Sequence, residues 1–281
     1  MPLYAKKRGQ RLASHPGSKL RGMELWHEVA GSGPEVVLIH PGVCDSRVWD
    51  PQMDTFPSAH TTIRCDLRGF GRTSIPAEPY SHARDVIELL DRLEVGPSVL
   101  VGASLGGRIA LEISLARPDL VERLVLIGPS VPGYSWSDDV IRYGDKEDAA
   151  LEQGDIEAAV QANLRMWVDG PNRSRDGVDP TVRLLIANMQ RHAFELQLPV
   201  WEKAEEELLV PDVGRRYVEI SVPTLVLVGS EDIPDMRTIA DQLASGIRGA
   251  RKVEIEGAAH VPSIEKPEQF DRLVLEFLSQ K

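Results

Sequence analysis

The chain has 281 residues, 42% of them hydrophobic and 27% charged, and a formal net charge of −11. That length and mix suit one large α/β domain or two small ones, able to bury a full core without staples. An acidic body argues against nucleic acid and anionic membrane as partners. No apolar run reaches the roughly 18 residues that span a bilayer, and the N-terminus lacks a signal-peptide pattern, so a cytoplasmic protein is expected.

In chain order, residues 1–21 come first and carry Lys6, Lys7, Arg8, Arg11, Lys19 and Arg21 before the first acid, Glu24. This reads as a flexible, solvated basic tail. The stretch MELWHEVA then alternates in polarity and stops at GSGP, and EVVLIH follows, a pattern expected of a hairpin feeding a buried strand. TTIRCD is a further short strand, and SHARDVIELLDRL has helical spacing through Val86, Leu89, Leu90 and Leu93. SVLVGA is a Val/Leu-rich strand, followed by a helix from about Gly107 to Ala116 and the strand RLVLIG.

Residues 131–217 break this alternation: they contain no convincing buried strand, only helical stretches. In DIEAAVQANLRMWV, for example, Ile156, Ala159, Val160, Leu164, Trp167 and Val168 fall on one face. Beyond Pro223 come the strand TLVLVG, a helix near RTIADQLA, the strand KVEIEG and a closing helix PEQFDRLVLEFL. Short apolar strands alternating with helices give a mostly parallel central sheet flanked by helices, an α/β fold. Its core spans 22–130 and 218–281, and 131–217 form a helical insertion.

Cys44 and Cys65 have no CxxC or Cys/His metal spacing, so two reduced, buried thiols are expected and no metal site. His15, His60, His82 and His192 read as ordinary surface or core histidines.

One hydroxyl stands out. Gly102-Ala103-Ser104-Leu105-Gly106 is G-x-S-x-G between a strand and a helix, the context of a nucleophile elbow. A serine is a poor nucleophile at neutral pH and needs a histidine base oriented by a carboxylate. His260 sits just after the last strand, and Asp232 lies just past the end of TLVLVG, with Glu231 and Asp235 as rivals in the same loop. A tetrahedral oxyanion needs two backbone N–H donors. Leu105, at the helix start, offers one, and the loop after the first buried strand offers the other from Gly42, with Val43 as the fallback, since Pro41 has no N–H.

These segments together resemble the α/β-hydrolase fold family, in its branch of small serine esterases, lactonases and C–C hydrolases with a helical cap. The resemblance covers about residues 22–280 and rests on HPGVCDSRVWDPQ, CDLRGFGRTS, GASLGG, GSEDIPD and GAAHVPSIEKPEQF. It implies Ser104, Asp232 and His260 as a catalytic triad in the chain order Ser, Asp, His. The acid falls on Asp232 because the family places it third after the strand-ending glycine, here Gly229. The resemblance also implies that 131–217 cap the pocket, with Trp136, Met166 and Trp167 as lining candidates beside Tyr134 and Trp201. For Trp167, packing within the cap is the plainer role. Asp66 to Gly71 reads as a structural turn. Pro41 departs from the family's usual glycine, and Ala103 replaces the asparagine common in C–C hydrolases, which weighs against C–C cleavage.

The expected function is hydrolysis of a small carboxylic ester or lactone through an acyl-serine, with no metal or organic cofactor, no nucleic-acid or membrane partner, and a homodimer as the one candidate assembly. The alternatives on the same residues are C–C hydrolysis, cofactor-free perhydrolase or haloperoxidase chemistry, and a hydrolase-fold ligand receptor.

Overall fold

The computed structural model describes residues 23–280, so the basic segment 1–21 lies outside the described residues. Along the chain run β1 (His27–Ala30), β2 (Glu35–Ile39), α1 (Asp50–Thr55), β3 (Thr61–Cys65), α2 (His82–Arg92), β4 (Ser98–Ala103), α3 (Leu105–Ala116) and β5 (Val121–Ile127). There follow α4 (Asp138–Glu152), α5 (Ile156–Asn163), α6 (Pro180–Gln197) and α7 (Val213–Arg216), then β6 (Thr224–Gly229), α8 (Pro234–Gly246), β7 (Arg251–Ile255), α9 (Pro262–Glu265) and α10 (Pro267–Leu278).

The seven strands form one sheet in the order β1-β3-β2-β4-β5-β6-β7. All pairings are parallel except β1 with β3. Strands such as β4 and β6 are buried along their whole length, which is why they read as unbroken Val/Leu runs: helices cover both faces. Truncating a fully buried member such as Leu100 to Ala would cost about 2–5 kcal/mol.

The expected hairpin is not formed. Four residues join β1 to β2, yet β1 pairs antiparallel with β3, from His27 opposite Cys65 to Ala30 opposite Thr62. Between β1 and β2 lies β3, so the GSGP connection crosses its start instead of closing a two-strand turn. β2 is buried and takes a parallel neighbour on each side, while β1 is half-exposed and serves as an edge.

The strand order also positions the site. The chain leaves β2 toward β3, then returns to lay β4 on the other side of β2. The sheet therefore reverses its winding between β2 and β4, the place where open α/β sheets seat their ligands. The loops after β2, β4, β5, β6 and β7 all emerge at that edge.

Candidate active site

Ser104 links β4 directly to α3 and adopts φ 50°, ψ −107°. Such a conformation costs a non-glycine residue about 1–3 kcal/mol and persists only where the surroundings fix it. The Ser104 N–H donates to Ile127 O at 2.8 Å, and its carbonyl accepts the N–H groups of Arg108 and Ser130, each at 3.1 Å. The flanking glycines are required by contact: a β-carbon at Gly102 would lie 2.4 Å from Gly106 O, and one at Gly106 would lie 2.1 Å from Ile39 O. The turn thus packs against both β2 and its own helix, and sets Ser104 at the helix N-terminus.

His260 and Asp232 come together from the loops after β7 and β6. The imidazole Nδ1–H donates to Asp232 Oδ2 at 2.8 Å, and Asp232 Oδ1 accepts the Ile233 N–H at 2.8 Å. Both side chains are about 2% exposed. A carboxylate can only accept, so the proton belongs on Nδ1 and the lone pair on Nε2. Glu231 and Asp235 do not reach His260. The Glu231 N–H closes the loop onto Ala258 O, and the Asp235 carboxylate takes the N–H and hydroxyl of Ser137 at 2.9 and 2.8 Å.

The Ser104 hydroxyl forms no hydrogen bond among the described residues, so the structure does not join it to His260. The two are linked through backbone. Ile127, which accepts the Ser104 N–H, precedes Gly128, where a β-carbon would stand 3.2 Å from His260 Cε1 and Nδ1 and 3.3 Å from Asp232 Oδ2.

The N–H groups of Gly42, Val43 and Leu105 have no intramolecular acceptor among the described residues. A β-carbon at Gly42 would lie 3.6 Å from Leu105 Cδ2. The Gly42 loop is braced by His40, whose role sequence reasoning missed. The His40 Nδ1–H donates to Pro41 O at 2.9 Å, and Nε2 accepts the Leu67 N–H at 3.0 Å. Burial pushes this histidine below its ordinary range, in keeping with a ring that must stay neutral to accept at Nε2. Its signal was available: a histidine directly after an apolar, largely buried strand cannot ionise cheaply.

The Asp66–Gly71 turn is a brace, as expected. Asp66 accepts the N–H groups of Ser46 and Arg72, each at 2.8 Å, and Arg68 pairs with buried Asp85 at 2.8 Å. Cys44 and Cys65 are free and buried, and burial raises the Cys65 thiol to about 12. Among the lining candidates, Trp136 and Met166 are half-buried, with Trp136 edge-on to Tyr134 at 5.1 Å. Trp167 is buried against His260, ring centroids 4.6 Å apart. The amphipathic helix expected over DIEAAVQANLRMWV ends at Asn163 as an α-helix, and Leu164–Asp169 continue as a π-helical turn. Among the described residues, no helix is long and apolar enough to cross a membrane.

Residues 36–273 match the model of the alpha/beta hydrolase family. The chain is 31% identical over 242 residues to RutD of Rhizobium rhizogenes, a protein named as a carbamate hydrolase, covering 82% of this chain and 87% of that one. It is 26% identical over 257 residues to carboxylesterase YbfK of Bacillus subtilis, covering 87% and 80%. Its structure is similar to that of Est816, an N-acyl homoserine lactone degrading enzyme, with a TM-score of 0.71 and 26% identity over 90% of this chain and 96% of the other. This chain belongs to the alpha/beta hydrolase family.

Proposed function

We propose that the protein hydrolyses a small carboxylic ester or lactone through an acyl-serine. Ser104 attacks the carbonyl carbon as His260 Nε2 takes its proton. The tetrahedral oxyanion is received by the N–H groups of Gly42 and Leu105, and its collapse expels the alcohol, which takes the proton back from His260. Water then repeats the cycle on the acyl-enzyme. Asp232 keeps the imidazole in the tautomer with Nε2 free and stabilises the imidazolium between transfers. A preorganised pair of N–H donors contributes about 3–4 kcal/mol per donor in such sites.

The observation that carries this reading is the buried 2.8 Å His260–Asp232 hydrogen bond, together with a serine held in strained backbone at a helix start. Esterase and lactone-degrading relatives support the substrate class. The helical insertion, 131–217, acts as a cap over the crevice.

The test is a panel of p-nitrophenyl esters and small lactones. Turnover of esters or lactones is expected, and with the p-nitrophenyl esters a burst of one p-nitrophenol per chain where deacylation is the slower step. Slow equilibrium binding with no burst would favour a receptor instead.

A further inference from the structure

His260 is held on a face that its pairing with Asp232 does not account for. The indole of Trp167 lies over the imidazole, centroids 4.6 Å apart and planes 40° from parallel, and the Trp167 carbonyl accepts the His260 backbone N–H at 3.2 Å. One residue of the insertion therefore grips both the ring and the main chain of the histidine.

That grip follows from where the helix ends. The last four carbonyls of a helix have no partner inside it, and the segment entered at α5 ends its π-helical turn at Asp169. The Trp167 carbonyl is taken by His260. Those of Val168 and Asp169 are taken by Arg173, at 2.6 and 2.9 Å. Arg173 also donates to Gly257 O at 2.9 Å and pairs with Glu265 at 2.7 Å, whose other oxygen accepts the Ala259 N–H at 2.9 Å. The loop that carries His260 is thus laced to the end of one helix.

The indole is fixed from behind as well. Its Nε1–H donates to Tyr143 Oη at 3.0 Å, the Tyr143 hydroxyl donates to Asn163 Oδ1 at 2.7 Å, and the Asn163 amide donates to Glu147. Tyr143 also meets the indole edge-on, with planes 88° apart. All four side chains are buried. The Tyr143 hydroxyl thus accepts from the indole and has Asn163 Oδ1 and the Glu147 carboxylate as acceptors for its own proton, so the network closes behind the indole.

We propose that Trp167 is a positioning residue for His260, a plate that holds the imidazole at its working angle and is itself kept in place by Tyr143, Asn163 and Glu147. The indole face also favours the positive charge that the imidazole gains when it takes the serine proton. The inference rests on the reading of His260 as the general base.

Three variants test it on the full-length protein: Trp167→Leu removes the plate, Trp167→Phe keeps an aromatic face but loses the tie to Tyr143, and Tyr143→Phe removes that tie while leaving the indole itself in place. The readouts are kcat and KM for p-nitrophenyl butyrate, the rate of labelling by a fluorophosphonate, and the downfield proton resonance of the His260–Asp232 hydrogen bond. We expect kcat and labelling rate to fall roughly a hundredfold in Trp167→Leu and about three- to tenfold in the other two, with KM held within about twofold. The proton resonance should move in Tyr143→Phe, a change no substrate is needed to see. Should Trp167→Leu fail to fold, the two phenylalanine variants decide. Unchanged kcat with a raised KM would make Trp167 a substrate contact and overturn the proposal, as would an unmoved resonance in Tyr143→Phe. A folded wild type that takes no label overturns the hydrolase reading itself. A labelled wild type with undiminished variants overturns the positioning role alone.

Discussion

Gly128 leaves room for the His260 imidazole: a β-carbon at this position would stand 3.2 Å from Cε1 and Nδ1 of the ring. The glycine has φ 42°, so a side chain there is strained as well as crowded. Gly128→Ala should therefore push the ring off Asp232. We expect kcat to fall at least tenfold, since a small misplacement of a reacting group is costly, while overpacking costs about 1–3 kcal/mol of stability. Kinetics alongside thermal melting check this, and an alanine variant with full kcat would contradict the close contact.

Asp232→Asn keeps the shape of the site but favours the wrong imidazole tautomer. The expected loss is on the order of 10⁴ in kcat, by analogy with other triads. Glu231→Gln is the control, because it changes the same loop by the same charge without touching the ring. Asp235→Asn is a poorer control, since Asp235 caps Ser137 and would disturb the start of the insertion. Near-normal turnover in Asp232→Asn with collapse in Glu231→Gln would reassign the acid.

Much of this was legible in the sequence because it depends on local chemistry. Continuous Val/Leu runs mark strands buried on both faces, and Gly102, Ser104 and Gly106 mark a turn whose sterics admit no other residues at the flanks. What was illegible needs tertiary information. The alternation in β1 shows that the strand has two faces but not which strand lies beside it, so the neighbour was taken to be β2 when it is β3. The π-helical turn leaves no mark in MWV, where the apolar spacing fits an α-helix equally well. The helical face assigned to Trp167 leads to packing within the insertion, yet the indole also lies on His260, a contact between residues 93 apart in the chain. His40 was legible in principle, but its role appears only when the Leu67 N–H arrives from another loop.

Two buried histidines contribute to the pH dependence of stability. Burial pushes both His40 and His82 below the ordinary histidine range, and for His82 the neighbouring Arg108 adds to the shift. The unfolded chain then binds protons that the folded chain refuses. The stability contribution is fully present above the unfolded value of about 6.5 and is lost as pH falls below it, at up to about 1.4 kcal/mol per pH unit for each histidine. His82→Phe should keep the edge-on packing against Tyr80, 4.9 Å between centroids, and it forfeits no bond at Nδ1, which has no partner among the described residues. Melting curves from about pH 7.5 to 5 should show a shallower acid decline in the variant. A decline parallel to wild type would remove His82 as a contributor.

The central claim is that Ser104 is the nucleophile, and intact-mass spectrometry after fluorophosphonate treatment tests it most directly. Wild type should gain one phosphonyl group, recovered on the peptide that contains Ser104, and Ser104→Ala should gain none while melting within about 1–2 °C of wild type, because a nearly buried hydroxyl without hydrogen bonds contributes little to packing. Stoichiometric labelling that persists in Ser104→Ala, or a label recovered on any other residue of the wild type, would contradict the account.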